Sequence, residues 1–289
     1  ETLAQVREVA PLAPLHNYAE ADVIEICRDM FPELGNVIVP DTAFHYNMPE
    51  RAWRYAIPRD VADTYHVRKY GAHGTSHRFI WRFVNEFLDG EAHKVVSCHL
   101  GSGASLCAIE DGKCMDTTMG LTPLDGLIMG TRCGTVDPAT VFYLNRVADM
   151  SIDEIDTMMN KKSGLLAVSG VSPDSRDVIA AAEGGNEHCA MAIEMYCYRA
   201  SQLVSEMAAS MQGFDTMVFT AGIGEHRASL RADISERLGW LGVEIDPELN
   251  KIYSDEPRVI STPESKVRVL IVPTNEELMI ALDVEALLG

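Results

Sequence analysis

The 289-residue chain has no apolar run approaching the roughly 20 residues that a membrane helix needs. Nearly half of it is hydrophobic all the same, so a soluble globular protein with a sizeable core and no membrane partner is expected. Cations are scarce. Against 43 Asp and Glu stand 24 Lys and Arg, and the net charge of −19 weighs against binding a nucleic-acid backbone. Local phosphate binding through a few cations, backbone amides and Mg²⁺ stays open. Cysteine is sparse too, with seven residues (27, 98, 107, 114, 133, 189 and 197) that form no C-x-x-C pair and no metal-type cluster. Such a set reads as reduced thiols in a cytoplasmic protein, with Cys98 and Cys107 filling strand interiors. Neither G-x-x-x-x-G-K-[ST] nor G-x-G-x-x-G occurs, which weighs against a Walker A loop and against a dehydrogenase. Internal repeats, low-complexity tracts and disordered-looking linkers are missing. So are an initiator Met and a signal-peptide pattern; the chain starts in mid-pattern at ETLAQVREVAPLAPL, and a piece of a longer protein is expected. At this length two domains, or one and part of a second, are the default.

What the chain does have is concentrated between His99 and Pro138. Gly101, Gly103, Gly112, Gly120, Gly126, Gly130 and Gly134 punctuate that stretch. Between them lie Ser102, Ser105, Thr117, Thr118, Thr122 and Thr131, a single arginine (Arg132) and the carboxylates Asp116, Asp125 and Asp137. Backbone N–H groups, hydroxyls and a guanidinium are what a protein uses to hold a phosphate. A set of β-turns in a mixed sheet explains the same composition.

Taken in order, residues 19–32 place Ile24, Ile26, Cys27 and Met30 close to helical spacing, and Asn36–Val39 reads as a short strand ending at Pro40-Asp41. A carboxylate just beyond a buried strand sits where α/β folds put ligand-binding residues, and equally where a turn cap would stand. In YGAHGTSH (70–77) Ser76 reads as the N-cap of a helix with Phe79, Ile80, Phe83, Val84 and Phe87 on its core face. That helix end would be a fair anion site beside two histidines, His73 and His77, the second equally open to reading as a first-turn surface residue. His93–Leu100, Ala104–Glu110 and Lys113–Thr117 read as three strands, the last two joined by an Asp111-Gly112 hairpin turn, so that the G-S-G of 101–103 joins strand to strand. Helices follow at 138–149, 152–161, after the polar turn at 172–177, and at roughly 187–212, where Ile193, Tyr196, Ala200, Leu203, Val204, Met207 and Met211 share one face. Thr216–Ala221 is a buried strand running into Gly222-Ile223-Gly224-Glu225-His226, then a helix through Arg237. Lys266–Pro273 is the last strand, and Thr274-Asn275-Glu276-Glu277 caps the final helix.

The motifs together resemble the acetate kinase family. The segments that carry the likeness are PLHN (14–17), DTAFHYNMP (41–49), YAIP (55–58), YGAHGTSH (70–77), HLGSGAS (99–105), TTMGLTPLDGLIMGTRCGTVDP (117–138), SPDSRD (172–177), FTAGIGEHRASLR (219–231) and PTNEE (273–277). They keep the family's order and cover almost the whole chain. The resemblance implies an α/β, ribonuclease H-like fold of the actin, sugar-kinase and chaperone-ATPase superfamily, duplicated in the family and represented here mainly by the second domain. Residues 1–41 would be the tail of a first domain, 42–277 the second, nucleotide-binding domain, and 278–289 a helix returning to the first. It also implies reversible phosphoryl transfer between ATP and a short carboxylic acid, acetate or propionate, by a cytoplasmic homodimer that uses Mg²⁺.

Residue by residue, Arg132 matches the family's catalytic arginine, His73 the histidine that donates to the phosphoryl group, and His16 a second active-site histidine. Asp41 and Glu276 match the acidic pair associated with Mg²⁺. His99, Gly101, Ser102 and Gly103 match the phosphate-binding hairpin. Asp174, Ser175, Arg176, Gly222, Ile223 and Gly224 match segments around adenine and ribose, and Leu15, Ala72 and Pro123 match walls of the acyl pocket. Ser102 stands where the family usually has Asn, Thr135 where it has an acid, and Ala72 where it has Phe. The family's opening strand, phosphate loop and H-R-x-V-H-G-G segment have no counterpart in these residues. The 289 residues alone are therefore expected to bind nucleotide weakly and turn over little, which full acetyl phosphate formation by the purified chain would overturn. Two other readings stay in view: a pyrophosphate-dependent acyl phosphotransferase, which the intact GIGE and SPDSRD segments oppose, and a non-catalytic nucleotide-binding scaffold, which the joint retention of Arg132, His73, Asp41 and Glu276 opposes.

Overall fold

A computed structural model describes residues 2–8, 10 and 17–288. In chain order its elements are α1 (Thr2–Glu8), α2 (Asn17–Met30), α3 (Glu50–Trp53), α4 (Arg59–Thr64), α5 (Gly74–Phe87), β1 (Lys94–Leu100), β2 (Ala104–Glu110), β3 (Lys113–Thr117) and α6 (Ala139–Val147). There follow α7 (Ile152–Lys161), α8 (Gly164–Ser169), α9 (Ser175–Glu183), α10 (Glu187–Ser210), β4 (Thr216–Thr220), α11 (Ala221–His226), α12 (Ala228–Arg237), α13 (Pro247–Lys251), β5 (Arg258–Val259), β6 (Arg268–Ile271) and α14 (Glu276–Leu288).

The strands form one six-stranded sheet in the order β3-β2-β1-β4-β6-β5. An antiparallel meander of β1, β2 and β3 is extended by β4 and β6 running parallel to β1. This is the ribonuclease H-like arrangement. The meander closes because Asp111 and Gly112 both take positive φ (45° and 80°), the backbone a two-residue hairpin demands. Strand side chains alternate between two cores. Val96, Cys98, Leu100, Leu106 and Ala108 face a cluster built on α10, with Tyr196, Ala200, Leu203, Val204 and Met207. Val95, Cys107 and Ile109 face the opposite cluster with Phe79, Ile80 and Val84 of α5 and Met279 of α14. Buried on both faces, β1 and β4 have no polar alternation to show.

Several expectations fail. Asn36–Val39 belongs to no strand, because no neighbouring backbone among the described residues pairs with it. The helical spacing read in 19–32 does give α2, whose apolar residues are nevertheless largely exposed (Val23 57%, Ile26 55%, Met30 65%), with Ala21 its one buried residue. Ser76 does not cap α5. The helix begins three residues before that cap would start it, at Gly74, with His73 as the capping residue in the left-handed region (φ 56°), and His77 is fully buried. The helix expected after His226 and through Arg237 is α12, but the segment before it is helical too (α11), the two being separated at Arg227 (φ −109°, ψ 83°). The carbonyls of Gly224 and Glu225, which a continuing helix would pair with its own N–H groups, instead accept from the Arg231 guanidinium, each at 2.9 Å. The last strand is shorter than read, Arg268–Ile271.

Candidate active site

The parallel strands deliver their C-terminal ends to one rim of the sheet, where α/β folds place ligands. Here β1 ends in His99 and Leu100, the Gly101–Gly103 turn leads back into β2, and β4 runs into α11. Gly103 lacks a side chain for a visible reason. A Cβ there would stand 2.5 Å from Arg132 Nη2 and 3.5 Å from His73 Nε2, so a guanidinium and an imidazole nitrogen meet over bare backbone. Arg132 is aimed by one hydrogen bond, Nη1 donating to the Pro123 carbonyl at 2.6 Å. His73 is held by its own backbone, since its N–H donates to Asp41 Oδ2 at 2.7 Å and the Gly74 N–H to the Asp41 carbonyl at 2.8 Å. A left-handed histidine pinned in this way is the kind of strained residue found at functional sites.

Below the rim lies a hydrogen-bonded set of hydroxyls and imidazoles. Ser105 Oγ lies 2.8 Å from both His73 Nδ1 and His77 Nε2, and His77 Nδ1 lies 2.9 Å from Ser97 Oγ. Ser76 Oγ bridges His99 Nδ1 and Thr274 Oγ1, each at 2.8 Å. The rings of His73 and His99 stack with centroids 4.0 Å apart. Burial, reinforced by the neighbouring imidazoles, keeps His77 neutral and pulls His99 down to about 3. Burial alone would lower His45 as well, but the hydrogen bond and charge of Cys114 outweigh it and raise that group.

Glu276, at the N-terminus of α14, is half-buried. Burial raises its carboxyl, and the charge of Asp41 adds to the rise. Neither Asp41 nor Glu276 has an ion-pair partner among the described residues. Two neighbouring carboxylates left without a cation suit a hard divalent ion.

On the other side of Arg132 a cavity of about 720 Å³ opens between the Gly101–Ser102 turn, α9 and α11. Arg132, Gly101, Ser102, Asp174, Ser175, Arg176, Gly222 and Ile223 all line it. Asp174 caps α9 by accepting from the Arg176 N–H, and the Arg176 guanidinium holds its carboxyl down at about 2. Gly222 faces open space, whereas Gly224 turns away from the cavity, and a Cβ there would lie 3.3 Å from the Phe219 backbone. Ala72 is buried, with its carbonyl 3.0 Å from His45 Nε2, and Pro123 is the prop of Arg132. Leu15 and His16 lie outside the described residues. Sequence reasoning missed Ser97, Ser76 and Thr274 as site-supporting groups, and of His77 it offered an anion-site or surface reading but not its buried place between Ser97 and Ser105. For His77 a signal existed, because His77, Ile80 and Val84 repeat at helical spacing on the core face.

The buried imidazoles make stability pH-dependent. A histidine whose folded value is depressed takes a proton only after unfolding, so its stabilisation is complete above 6.5 and is lost as pH falls from there toward about 3 for His99. His77 acts in the same sense and His45, raised, in the opposite one. The expected result is a loss of about 1–3 kcal/mol per pH unit below that point. Urea midpoints measured at neutral and mildly acidic pH check it, and equal midpoints would contradict the assignment.

The family model of the acetokinase family matches residues 1–282. The acetate kinase of Helicobacter hepaticus is 46% identical over 289 residues, covering 99% of this chain and 72% of the relative. The crystal structure of Porphyromonas gingivalis acetate kinase superposes with a TM-score of 0.94 at 42% identity, covering 99% of this chain and 72% of that one. A propionate kinase from Francisella tularensis superposes at 0.92 and 41% identity, covering 96% of this chain and 71% of that one.

Proposed function

Because the chain belongs to the acetokinase family, whose reaction is ATP-dependent phosphoryl transfer to acetate, we propose that its 720 Å³ cavity holds ATP or ADP with the outermost phosphate directed at Arg132 and His73. One observation carries this reading: Arg132 Nη2 and His73 Nε2 converge on the bare backbone of Gly103 at the cavity's edge. Charge on a transferring phosphoryl group is spread over its oxygens, and two nitrogen donors held by Pro123 and Asp41 are in place before it arrives. The carboxylate of acetate would approach from the Ala72 and Pro123 side. Asp41 and Glu276 would hold Mg²⁺, which supplies charge neutralisation between phosphates when bound. His99 and the 101–103 turn would carry the phosphates, and Asp174, Ser175, Arg176, Gly222 and Ile223 the nucleoside.

Calorimetric titration tests the reading. MgADP should bind, and Gly222→Val, which fills the open face, should weaken it tenfold or more while leaving pyrophosphate binding unchanged. Equal binding of ADP and pyrophosphate, indifferent to Gly222→Val, would favour the pyrophosphate-dependent alternative. The acyl pocket gives a second expectation. Alanine at 72, where the family usually carries a phenyl ring, leaves room for another methylene, which is worth about 1–3 kcal/mol in discrimination. In the full-length parent, the ratio of kcat/KM for propionate to acetate should lie within tenfold of unity, and Ala72→Phe should restore acetate preference; a strong acetate preference in the unsubstituted parent would contradict this.

We also propose the homodimer and the division at residues 41 and 277. Exposed apolar side chains on α6 (Phe142, Tyr143, Val147) and on the outer face of α10 (Met191, Met195, Tyr198) support the first. Support for the second comes from the groove of Leu3, Ile24, Val37, Ile38 and Leu287, apart from the sheet's two cores.

A further inference from the structure

We propose that Ser97, His77 and Ser105 form a polarised hydrogen-bond chain that fixes which ring nitrogen of His73 carries the proton, so that His73 presents an Nε2–H to the phosphate path. The proposal deepens the reading of His73 given above and rests on it for its functional meaning. Its physical content stands on counting protons.

The chain runs Ser97 Oγ, His77 Nδ1, His77 Nε2, Ser105 Oγ, His73 Nδ1, with separations of 2.9, 2.8 and 2.8 Å across its hydrogen bonds. Ser97, His77 and Ser105 are each 0% exposed, so water cannot complete a missing bond. A neutral imidazole has one N–H, and a hydroxyl donates once. That leaves two continuous polarities, because both imidazoles donating to Ser105 Oγ would strand the buried Ser105 hydroxyl hydrogen, which has no other partner among the described residues.

In the first, Ser97 O–H donates to His77 Nδ1, His77 Nε2–H donates to Ser105 Oγ, and Ser105 O–H donates to His73 Nδ1. Every proton has an acceptor, and His73 keeps its own proton on Nε2, the atom beside Gly103 and Arg132. In the second, His77 Nδ1–H donates to Ser97, Ser105 donates to His77, and His73 donates from Nδ1. The Ser97 hydroxyl hydrogen then has nowhere to go, because His77 is its one hydrogen-bond partner among the described residues. His73 would also turn a lone pair toward the place where the guanidinium awaits an anion. A buried donor without an acceptor is costly, so the first polarity wins. Ser97 and His77 are therefore positioning residues, acting on His73 through Ser105 without touching the cavity.

Two-bond ¹⁵N–¹H correlation spectra of the ¹⁵N-labelled 289-residue chain distinguish the tautomers and need neither ligand nor turnover. His73→Gln identifies the His73 signals by their loss. In the unsubstituted chain His73 and His77 are both expected as Nε2–H tautomers. Ser105→Ala should shift the His73 Nδ1 resonance toward the protonated-nitrogen position, as the ring becomes a mixture of tautomers. Ser97→Ala should do the same to His77 and, through Ser105, to His73, while Ser97→Thr and Ser105→Thr retain the original pattern. An Nδ1–H tautomer for His73 in the unsubstituted chain overturns the proposal whether or not any variant folds, and so does a His73 signal unmoved in Ser105→Ala. Failure of MgADP to bind the same sample would count against the nucleotide reading alone, since the tautomer pattern is read without ligand.

Discussion

Replacing Arg132 by alanine should lower acetyl phosphate formation about a thousandfold or more, while the affinity for MgADP changes only a few-fold. The asymmetry follows from geometry. Nη1 is committed to the Pro123 carbonyl at 2.6 Å, which leaves Nη2 projecting over Gly103 beside His73 Nε2. The guanidinium is partly withdrawn from water, and burial lowers its value, but a delocalised guanidinium keeps its charge in proteins. A fixed cation where charge develops costs no reorganisation at the moment of transfer, and arginines used this way contribute about 10³–10⁵ in rate. The nucleoside is gripped elsewhere, along α9 and α11, so ground-state binding should be little affected. Arg132→Lys should recover little, because a point charge cannot both take the Pro123 carbonyl and reach across Gly103. Initial rates relative to the unsubstituted full-length parent, with ADP affinity from calorimetry, check this. A variant that loses affinity and rate in equal proportion would show that Arg132 serves binding alone.

The sheet was legible because its signals are local. The hairpin at Asp111-Gly112 needs two residues of positive φ, and the stripe from Tyr196 to Met207 needs only the helical period. What escaped depends on groups far away in sequence. Ser76 is a sound local N-cap, yet Asp41, more than thirty positions upstream, reaches the end of α5 first with a carboxylate and a carbonyl. A Cβ on Gly74 would come within 2.3 Å of that carbonyl, so the close approach selects glycine at the helix start and frees Ser76 for His99 and Thr274. Asn36–Val39 failed in the opposite direction. Its apolar pattern suits a strand, but a strand exists only with a partner.

The same logic applies to the site. Asp41, His73, Arg132 and Glu276 were marked by motif resemblance, and no spacing rule could have shown that an Arg132 nitrogen and a His73 nitrogen meet over one glycine. The supporting hydroxyls were invisible for a different reason. Ser97 sits in an otherwise apolar strand, where a serine reads as a tolerated small residue until the imidazole opposite it is known, and Ser105 reads only as a phosphate-side hydroxyl.

The second large effect is expected at Arg231, a residue that never reaches the cavity. Its side chain is 2% exposed, yet no carboxylate pairs with it among the described residues. Nε donates to Asn250 Oδ1 at 2.8 Å, Nη2 to the Asn250 carbonyl at 2.6 Å, and Nη1 to the carbonyls of Gly224 and Glu225. Burial, with some repulsion from Arg258, lowers its value to about 10, so it stays charged at neutral pH. The guanidinium thus replaces the helical hydrogen bonds that α11 forgoes where the chain breaks at Arg227, and it ties α11 to α13 through Asn250. Arg231→Met matches the packing but leaves these acceptors dry. Each unsatisfied buried acceptor costs about 1–3 kcal/mol, and relief of the buried charge returns part of that. A net loss of about 3 kcal/mol is expected, seen as a melting point lowered by roughly 6–12 °C. Because α11 carries Gly222 and Ile223, the melting-point rise produced by MgADP should shrink in Arg231→Met and stay intact in Lys251→Met, an exposed change on α13. If Arg231→Met melts with the unsubstituted chain, α11 is held by its apolar contacts alone and the guanidinium is dispensable.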